Sequence, residues 1–295
     1  MSPRPELVGA AHNRPGASAI PPAASLPSNA ATRRLLSTDL DGTIVFDTKI
    51  SAADIAAIRR WRAAGNLLVV NTGRSIAALG SALAGSGLEY DYAVLYTGAV
   101  LVDQHAQPLR VSPMPDGVVQ AVMAELGDED GLKVFVTTLD RDFILTNSYA
   151  TATDLLTLFS PGTLADLEGR TVIGMPFHIR DKALHERIMH LATGEWAAQV
   201  SAVRNQDFID LVPVGHTKGT GLRELVGMLT GPGGAYAGEH LETWSIGDSW
   251  NDIPMHTAAD HACAMPSSPP EVVQACEIRT GSLAELVERI LGPEA

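Results

Sequence analysis

The sequence predicts an α/β protein: a parallel sheet flanked by helices, interrupted by an inserted α+β unit. Two observations carry that prediction. Short, continuously apolar runs alternate with amphipathic helical segments between residues 35 and 96, and the same alternation resumes after residue 216. Strands that are apolar on both faces belong to parallel sheets covered by helices on both sides. Between the two halves the pattern changes to paired strands around polar turns, with a helix among them. Boundaries drawn on that pattern are 1–33 for an N-terminal tail, 34–101 and 211–295 for the α/β core, and 102–210 for the inserted α+β domain.

Residues 35–40 (LLSTDL) read as a buried strand that breaks at Asp41-Gly42-Thr43. Ser51 with Asp54 forms a capping signature for a helix whose apolar stripe is Ile55, Ile58 and Trp61, and Gly65 suits its end. A second strand spans 67–71, a helix runs from Ser75 to about Leu83, and 92–96 is a third strand. In the insert, 133–148 reads as two strands about a turn at Asp140–Asp142, and 170–180 as a strand. Residues 181–192 read as a helix, and 198–213 as a hairpin turning near Asn205. The late core contributes a helix over 216–229, strands at 242–246 and 261–265, and a last helix. Ser282 and Glu285 cap that helix, and Leu283, Leu286, Val287, Ile290 and Leu291 form one apolar face.

A formal net charge of −13 disfavours nucleic acid and anionic membranes as partners, because both are held mainly by Lys and Arg. A small anion remains compatible, since it needs only a local positive patch. Cys263 and Cys276 form no zinc-ligand pattern and read as reduced thiols. No apolar run is long enough to span a bilayer. Residues 1–33, rich in Ala, Pro and Ser, carry no continuous apolar signal region, so a disordered tail on a cytoplasmic protein is expected, with an organelle transit peptide as the alternative. The sequence is silent on oligomeric state.

Four motifs carry chemistry. Asp39-Leu40-Asp41-Gly42-Thr43 ends the first strand, and in an open parallel sheet ligands bind beyond the carboxyl ends of the strands. Two carboxylates one residue apart at that point can face the same space, and Gly42 permits the turn that follows. Thr72-Gly73-Arg74 follows the second strand. Lys218 opens a helix, where the cation and the helix dipole both favour an anion. Gly247-Asp248-Ser249-Trp250-Asn251-Asp252 follows a late strand and adds two carboxylates. Each motif alone has an ordinary account as a turn, a surface lysine or a helix cap. All four in this order, three of them directly after core strands, do not.

Together these motifs resemble those of the haloacid dehalogenase (HAD) superfamily of phosphohydrolases. The insert between Thr72-Gly73-Arg74 and Lys218 resembles the Cof-type branch with a large cap, which includes many sugar-phosphate phosphatases. The resemblance runs from about residue 35 to residue 291 and implies a Rossmann-like core, the HAD fold, with an α+β cap. It implies that Asp39 attacks phosphorus and becomes an aspartyl phosphate, while Asp41 protonates the leaving alcohol and later deprotonates water. It implies Mg²⁺ held by the Asp39 carboxylate, the Asp41 backbone carbonyl and Asp248, with Asp252 as a ligand or as an acceptor behind the ligands. Thr72, Gly73, Lys218 and Asn251 fall on the phosphate and substrate side, and Arg74 either touches substrate or pairs with a core acid. One departure is Thr97-Gly98-Ala99, where the branch often has Asn-Gly-Ala, and it bears on a substrate-side polar contact.

Electrostatics point the same way. Asp39, Asp248 and Asp252 bring three negative charges toward a dianionic phosphate, and each like-charge pair at about 4 Å costs roughly 4 kcal/mol at an effective dielectric near 20. Lys218 alone does not offset that, and hard oxygen ligands beside a phosphate favour Mg²⁺. The expected function is a Mg²⁺-dependent phosphatase acting on a small phosphorylated metabolite, with a sugar phosphate as the expected class. Two alternatives stand beside it: a phosphomutase acting on a hexose phosphate, and a catalytically silent binding protein on the same fold. Loss of the nucleophile or of a metal acid would mark the second, and both are present. Within the cap, the 140–142 turn is the first candidate for contacting substrate.

Overall fold

The computed structural model describes residues 33–149, 158–205 and 207–293. The tail expected over 1–33 lies outside the described residues except for Arg33, which opens the first strand. β1 (Arg33–Thr38) is buried from Leu35 onward and ends at the Asp39 turn. A short ribbon, β2 (Val45–Phe46) and β3 (Lys49–Ile50), leads into α1 (Ala52–Ala63). The Ser51 hydroxyl accepts the Asp54 amide at 3.0 Å, and Ile55, Ile58 and Trp61 form the buried stripe. Trp61 Nε1 donates to the Leu67 carbonyl at 2.9 Å, tying α1 to β4 (Leu67–Asn71), whose five residues are all buried. α2 (Ile76–Leu83) and β5 (Tyr92–Leu95) follow. The chain then folds back at the sheet edge as two antiparallel strands, β6 (Val100–Asp103) and β7 (Pro108–Val111).

The insert contains α3 (Val118–Leu126), β8 (Leu132–Thr138), β9 (Asp142–Asn147), β10 (Ser160–Pro161), β11 (Val172–Ile179), α4 (Lys182–Thr193), β12 (Val200–Asn205) and β13 (Phe208–Pro213). Its strands make a six-stranded sheet in the order β10-β9-β8-β11-β13-β12. Alternate residues of a strand point to opposite faces. One face buries Val134, Val136, Met175, Phe177, Ile209 and Leu211 against α3 and α4. The opposite face, carrying Phe135, Thr137, Pro176, His178 and Phe208, looks onto the core.

The core resumes with α5 (Lys218–Thr230), β14 (Leu241–Gly247), α6 (Ile253–Ala258), β15 (His261–Ala264), α7 (Pro270–Gln274), β16 (Ile278–Arg279) and α8 (Leu283–Leu291). Its eight strands run β16-β15-β14-β1-β4-β5-β6-β7, parallel as far as β5. One face packs against α1 and α8 through Ile58, Trp61, Leu283, Leu286 and Val287. The other packs against α5 through Leu222, Leu225 and Leu229. This is the parallel α/β sheet with helices on both faces that the alternation of apolar runs and helices predicts.

The expected junctions at 102 and 210 both move toward the C-terminus, the first in favour of the core and the second in favour of the cap. Val100 to Val102 are fully buried and pair with β5, so the core sheet claims the chain through Val111. Asp210 lies in β13, where Ile209 and Leu211 face the cap helices, so the cap sheet claims the chain through Pro213. Both errors come from reading buried apolar runs without knowing which sheet they join.

Candidate active site

The loop after β1 is a tight turn built on one carbonyl. Leu40 O accepts the Ile44 and Val45 amides at 2.9 and 2.7 Å, and the Leu40 side chain is fully buried. Asp39 and Asp41, on either side of it, both line the crevice at the carboxyl end of the sheet. Gly42 has φ +82°, and a Cβ there would come within 2.5 Å of Asp248 Oδ2, so a side chain at this position would collide with the facing acid. The neighbouring strand ends bring the other motifs to the same place. Thr72 N donates to Val94 O at 2.9 Å, and Thr72 and Asn251 are both buried at the crevice wall. Asn251 Oδ1 is buried without a hydrogen-bond partner among the described residues.

Lys218 lies at the start of α5, where Thr217 caps the helix by accepting the Thr220 amide at 3.0 Å. The ammonium is fully buried and lies 2.7 Å from Asp39 Oδ1 and 2.6 Å from Asp252 Oδ1. Asp252 Oδ2 accepts the Asp248 and Ser249 amides, each at 3.0 Å. Both of its oxygens are therefore engaged, and Asp252 orients the lysine and the loop. Thr43 Oγ1 donates to Asp248 Oδ1 at 3.2 Å. Ligand oxygens of Asp39, Asp248 and Asp252 lie within 4.8 Å of one another. Neither Asp39 Oδ2 nor Asp248 Oδ2 has a hydrogen-bond donor among the described residues, so two hard oxygens face one point.

The charge balance fits a cation there. Burial works against the Lys218 ammonium, but Asp252 and Asp39 outweigh it and hold it above its ordinary range. Burial pushes the Asp39 carboxyl well up, against the pull of Lys218, and Asp252 and Asp41 add to the rise. Burial also pushes Asp248 up to about 6, with Asp252 adding to it and Lys218 opposing. Three buried acids around one lysine leave negative charge that a divalent ion would neutralise. Asp41 stands apart: Arg74 grips its carboxylate with two bonds, at 2.7 and 2.6 Å. Of the two expectations for Arg74, pairing with an acid is the one seen, and that acid is Asp41.

Residues 36–285 match the haloacid dehalogenase-like hydrolase family. The chain belongs to that family. A search of curated proteins finds no match. Among solved structures, a haloacid dehalogenase-like hydrolase from B. subtilis superposes with TM-score 0.73 at 19% identity, covering 88% of this chain and 100% of its own. A HAD subclass IIB sugar phosphatase gives 0.71 at 22% identity, covering 88% and 98%. A HAD-superfamily phosphatase from Bacteroides thetaiotaomicron gives 0.69 at 21%, covering 91% and 97%. At these identities the structures establish the shared fold, and the fold is that of a capped HAD hydrolase.

In this HAD chain the cap and the core enclose a cavity of about 210 Å³ between them. Sequence reasoning missed its cap-side lining. Phe135, Phe159, Phe208, His178, Asn205 and Asp210 all face it. Asp210 is buried, and Thr97 Oγ1 donates to it at 3.3 Å. Gly73 makes room for both, since a Cβ there would lie 3.1 Å from Asp210 and 3.2 Å from Thr97. Burial pushes the Asp210 carboxyl up to about 6, with Thr97 and Lys218 opposing. A carboxylate inside an otherwise apolar strand, FIDLVP, was the available signal. The 140–142 turn is not in the cavity wall. Asp142 instead accepts a short hydrogen bond from Ser75 at the N-terminus of α2, and Tyr96 Oη donates to Thr138 O at 2.8 Å. That turn fastens the cap to the core. A second attachment on the far side pairs Ser249 with Asn205 at 3.3 Å and places Arg204 over the Trp250 ring. The histidine at 256 packs against Ser245 at 2.9 Å, and burial pushes it down to about 4, in keeping with a packed rather than ligating role.

Among the described residues, no helix is long and apolar enough to cross a membrane.

Proposed function

We propose that this chain is a Mg²⁺-dependent phosphatase that hydrolyses a small phosphorylated metabolite through an aspartyl phosphate on Asp39. The observation that carries the reading is the buried cluster of Asp39, Asp248 and Asp252 around Lys218, at the carboxyl end of a parallel sheet. Asp39 is the nucleophile: its carboxylate sits against Lys218, which keeps the attacking oxygen fixed and draws the dianionic phosphoryl group toward it. The Thr72 hydroxyl, the Gly73 amide and the Asn251 side-chain NH2 group donate to the phosphoryl oxygens. Asp41, half exposed and held by Arg74, faces the leaving group, donates a proton to the departing alcohol and then takes one from water. Arg74 thereby orients the acid rather than the phosphate.

The free oxygens of Asp39 and Asp248, with the Asp41 carbonyl, would hold the metal, and Asp252 supports them from behind. When bound, Mg²⁺ neutralises the acid cluster and stabilises charge on the transferring phosphoryl group. The sugar phosphatase among the structural neighbours supports a sugar phosphate as the first substrate class to try. Junctions near 112 and 214 give the cap the two connections on which it can swing to admit substrate and exclude water. The test is phosphate release from a panel of phosphomonoesters with Mg²⁺, with and without excess chelator. Release abolished by chelator and restored by Mg²⁺, with little restoration by the larger Ca²⁺, is the expected result. Full turnover in excess chelator overturns the metal assignment. Conversion of a hexose phosphate to its isomer without phosphate release would instead indicate phosphoryl return to sugar.

A further inference from the structure

Three of the chain's six phenylalanines, Phe135, Phe159 and Phe208, line this one cavity, in a protein that is only 5% aromatic. They form a continuous row. The Phe135 centroid lies 4.5 Å from Phe159 and 6.4 Å from Phe208, and His178 lies 4.7 Å from Phe208. Register explains the row: His178 pairs with Phe208 across β11 and β13, and Phe135 lies two residues beyond the Lys133 that pairs with His178. Phe135, His178 and Phe208 sit on the cap-sheet face turned away from α3 and α4, and Phe159, just before β10, packs against Phe135, so the buried cap core does not use these rings. Phe159, His178 and Phe208 are only partly buried, which leaves ring surface open to a ligand.

We infer that the leaving group of the substrate carries a flat aromatic ring, which lies against this row of rings while its phosphate rests on Asp39. The inference rests on the phosphatase reading and narrows its substrate class, away from a bare sugar phosphate. An aromatic ring gains from offset or edge-to-face contact with Phe and His rings. A hexose presents hydroxyls around its whole rim, and those pressed on phenylalanine would lose their water without gaining partners. Among the described residues, the polar side chains that line the cavity from the cap are Thr137, His178, Asn205 and Asp210, and several of their atoms are already engaged. Thr137 donates to Gly174 O at 3.2 Å, His178 Nδ1 is bonded to Tyr149, and Asn205 Oδ1 accepts from Ser249. Among the described residues that line the cavity from the cap, Asp210 is the buried carboxyl, and it suits a single donor on the edge of a heterocycle. The volume of about 210 Å³ fits one ring beside a phosphate, since an apolar cavity of about 150 Å³ already holds a benzene.

The experiment measures kcat/KM of the full chain with Mg²⁺ on benzyl phosphate, cyclohexylmethyl phosphate and glucose 6-phosphate. The first two differ in ring flatness and little in the acidity of the leaving alcohol. Benzyl phosphate is expected to exceed both others by about tenfold or more, the worth of two or three ring contacts. Phe208→Leu and Phe159→Leu are expected to lower kcat/KM on benzyl phosphate severalfold more than on glucose 6-phosphate, and so to erase most of that preference. The glucose 6-phosphate rate and the melting temperature report whether each variant is folded. Should Phe208→Leu not fold, the partly exposed Phe159 and the wild-type comparison still decide. Equal rates on the two ring esters, or a preference for glucose 6-phosphate, overturn the inference and leave the phosphatase reading standing. Release from none of the three removes both.

Discussion

On the core side of the cavity, Asp39, Asp248 and Asp252 surround a fully buried Lys218, and every short contact is ionic or a hydrogen bond. On the cap side, three phenylalanines and a histidine lie tilted against one another in a row. The two surfaces are built differently as well. The core side comes from consecutive residues at the ends of β1, β4 and β14, so each chemical group is fixed by a short loop. The cap side comes from about one or two residues per element, spread over β8, β11, β12, β13 and the segment before β10. The difference teaches that a reaction demanding fixed charges concentrates its residues in motifs, whereas shape recognition is distributed across a sheet face. It also sets a scale, because electrostatic groups acting on the reacting atoms are worth far more than a ring contact.

The sharpest way to break this comparison is to remove the attacking charge. Asp39→Asn keeps the side-chain shape and a partner for Lys218, so the fold should persist while turnover falls by about four powers of ten or more. The measurement is single-turnover phosphate release, with circular dichroism to confirm folding. Activity within about tenfold of wild type would remove Asp39 as the nucleophile. Asp41→Asn should be crippled selectively, losing most on esters with poor leaving groups and least on an activated aryl phosphate that needs no proton. An equal loss on both would mean that Asp41 acts through Arg74 and the loop rather than as the acid.

How much of this was legible in the sequence follows from the same contrast. The Asp39–Thr43, Thr72–Arg74 and Asp248–Asp252 clusters were readable because each follows a buried apolar run, and strand ends in a parallel sheet define the crevice, while Lys218 was readable as the cation that opens a helix. The roles of Arg74 and Asp252 were left open, because only distances show that one grips Asp41 and the other has both oxygens occupied. The aromatic row was invisible. Alternation along a strand says that Phe135 and Val136 face opposite ways, but not which face meets the core. The second half of β6 and all of β7 were assigned to the insert for the same reason, as a buried run does not name its sheet.

A middle-sized effect separates fastening from chemistry. Asp142 is buried at the cap–core contact with Ser75, and its Oδ1 has no partner among the described residues. Burial pushes its carboxyl up to about 6, with Ser75 and Thr138 opposing and Asp140 adding to the rise. A carboxyl whose folded pKa lies above its unfolded value of about 3.9 binds more protons in the folded state. Its ionisation therefore weakens the fold as pH rises from about 4 through about 6. Comparing Asp142→Asn with wild type, the stability difference should move in favour of the variant by about 1–1.5 kcal/mol between pH 5 and pH 8. At about 2–4 °C per kcal/mol for a chain of this size, thermal melts resolve that change. A difference independent of pH would mean that Asp142 titrates normally and the contact is not closed in solution.

The smallest effect is expected next door, and it sharpens the comparison between the cap's turn and its face. Arg141 is exposed on the β8–β9 turn and does not line the cavity. Its described bonds are made by the main chain: Arg141 N donates to Thr138 Oγ1 at 3.0 Å, and Thr138 N donates to Arg141 O at 3.1 Å. Alanine keeps both, so Arg141→Ala should stay within about 0.5 kcal/mol of wild-type stability. It should also leave kcat/KM within about twofold on both a small aryl phosphate and the best natural substrate. Phe208→Leu, at a ring whose centroid lies 4.7 Å from that of His178 on the crevice face of the cap sheet, should change the ratio of those two rates. If Arg141→Ala lowered kcat/KM on the natural substrate alone, the turn would have to reach the leaving group in the closed state. Recognition would then belong to the edge of the cap, where the charged turn lies, and the aromatic face would be reduced to packing.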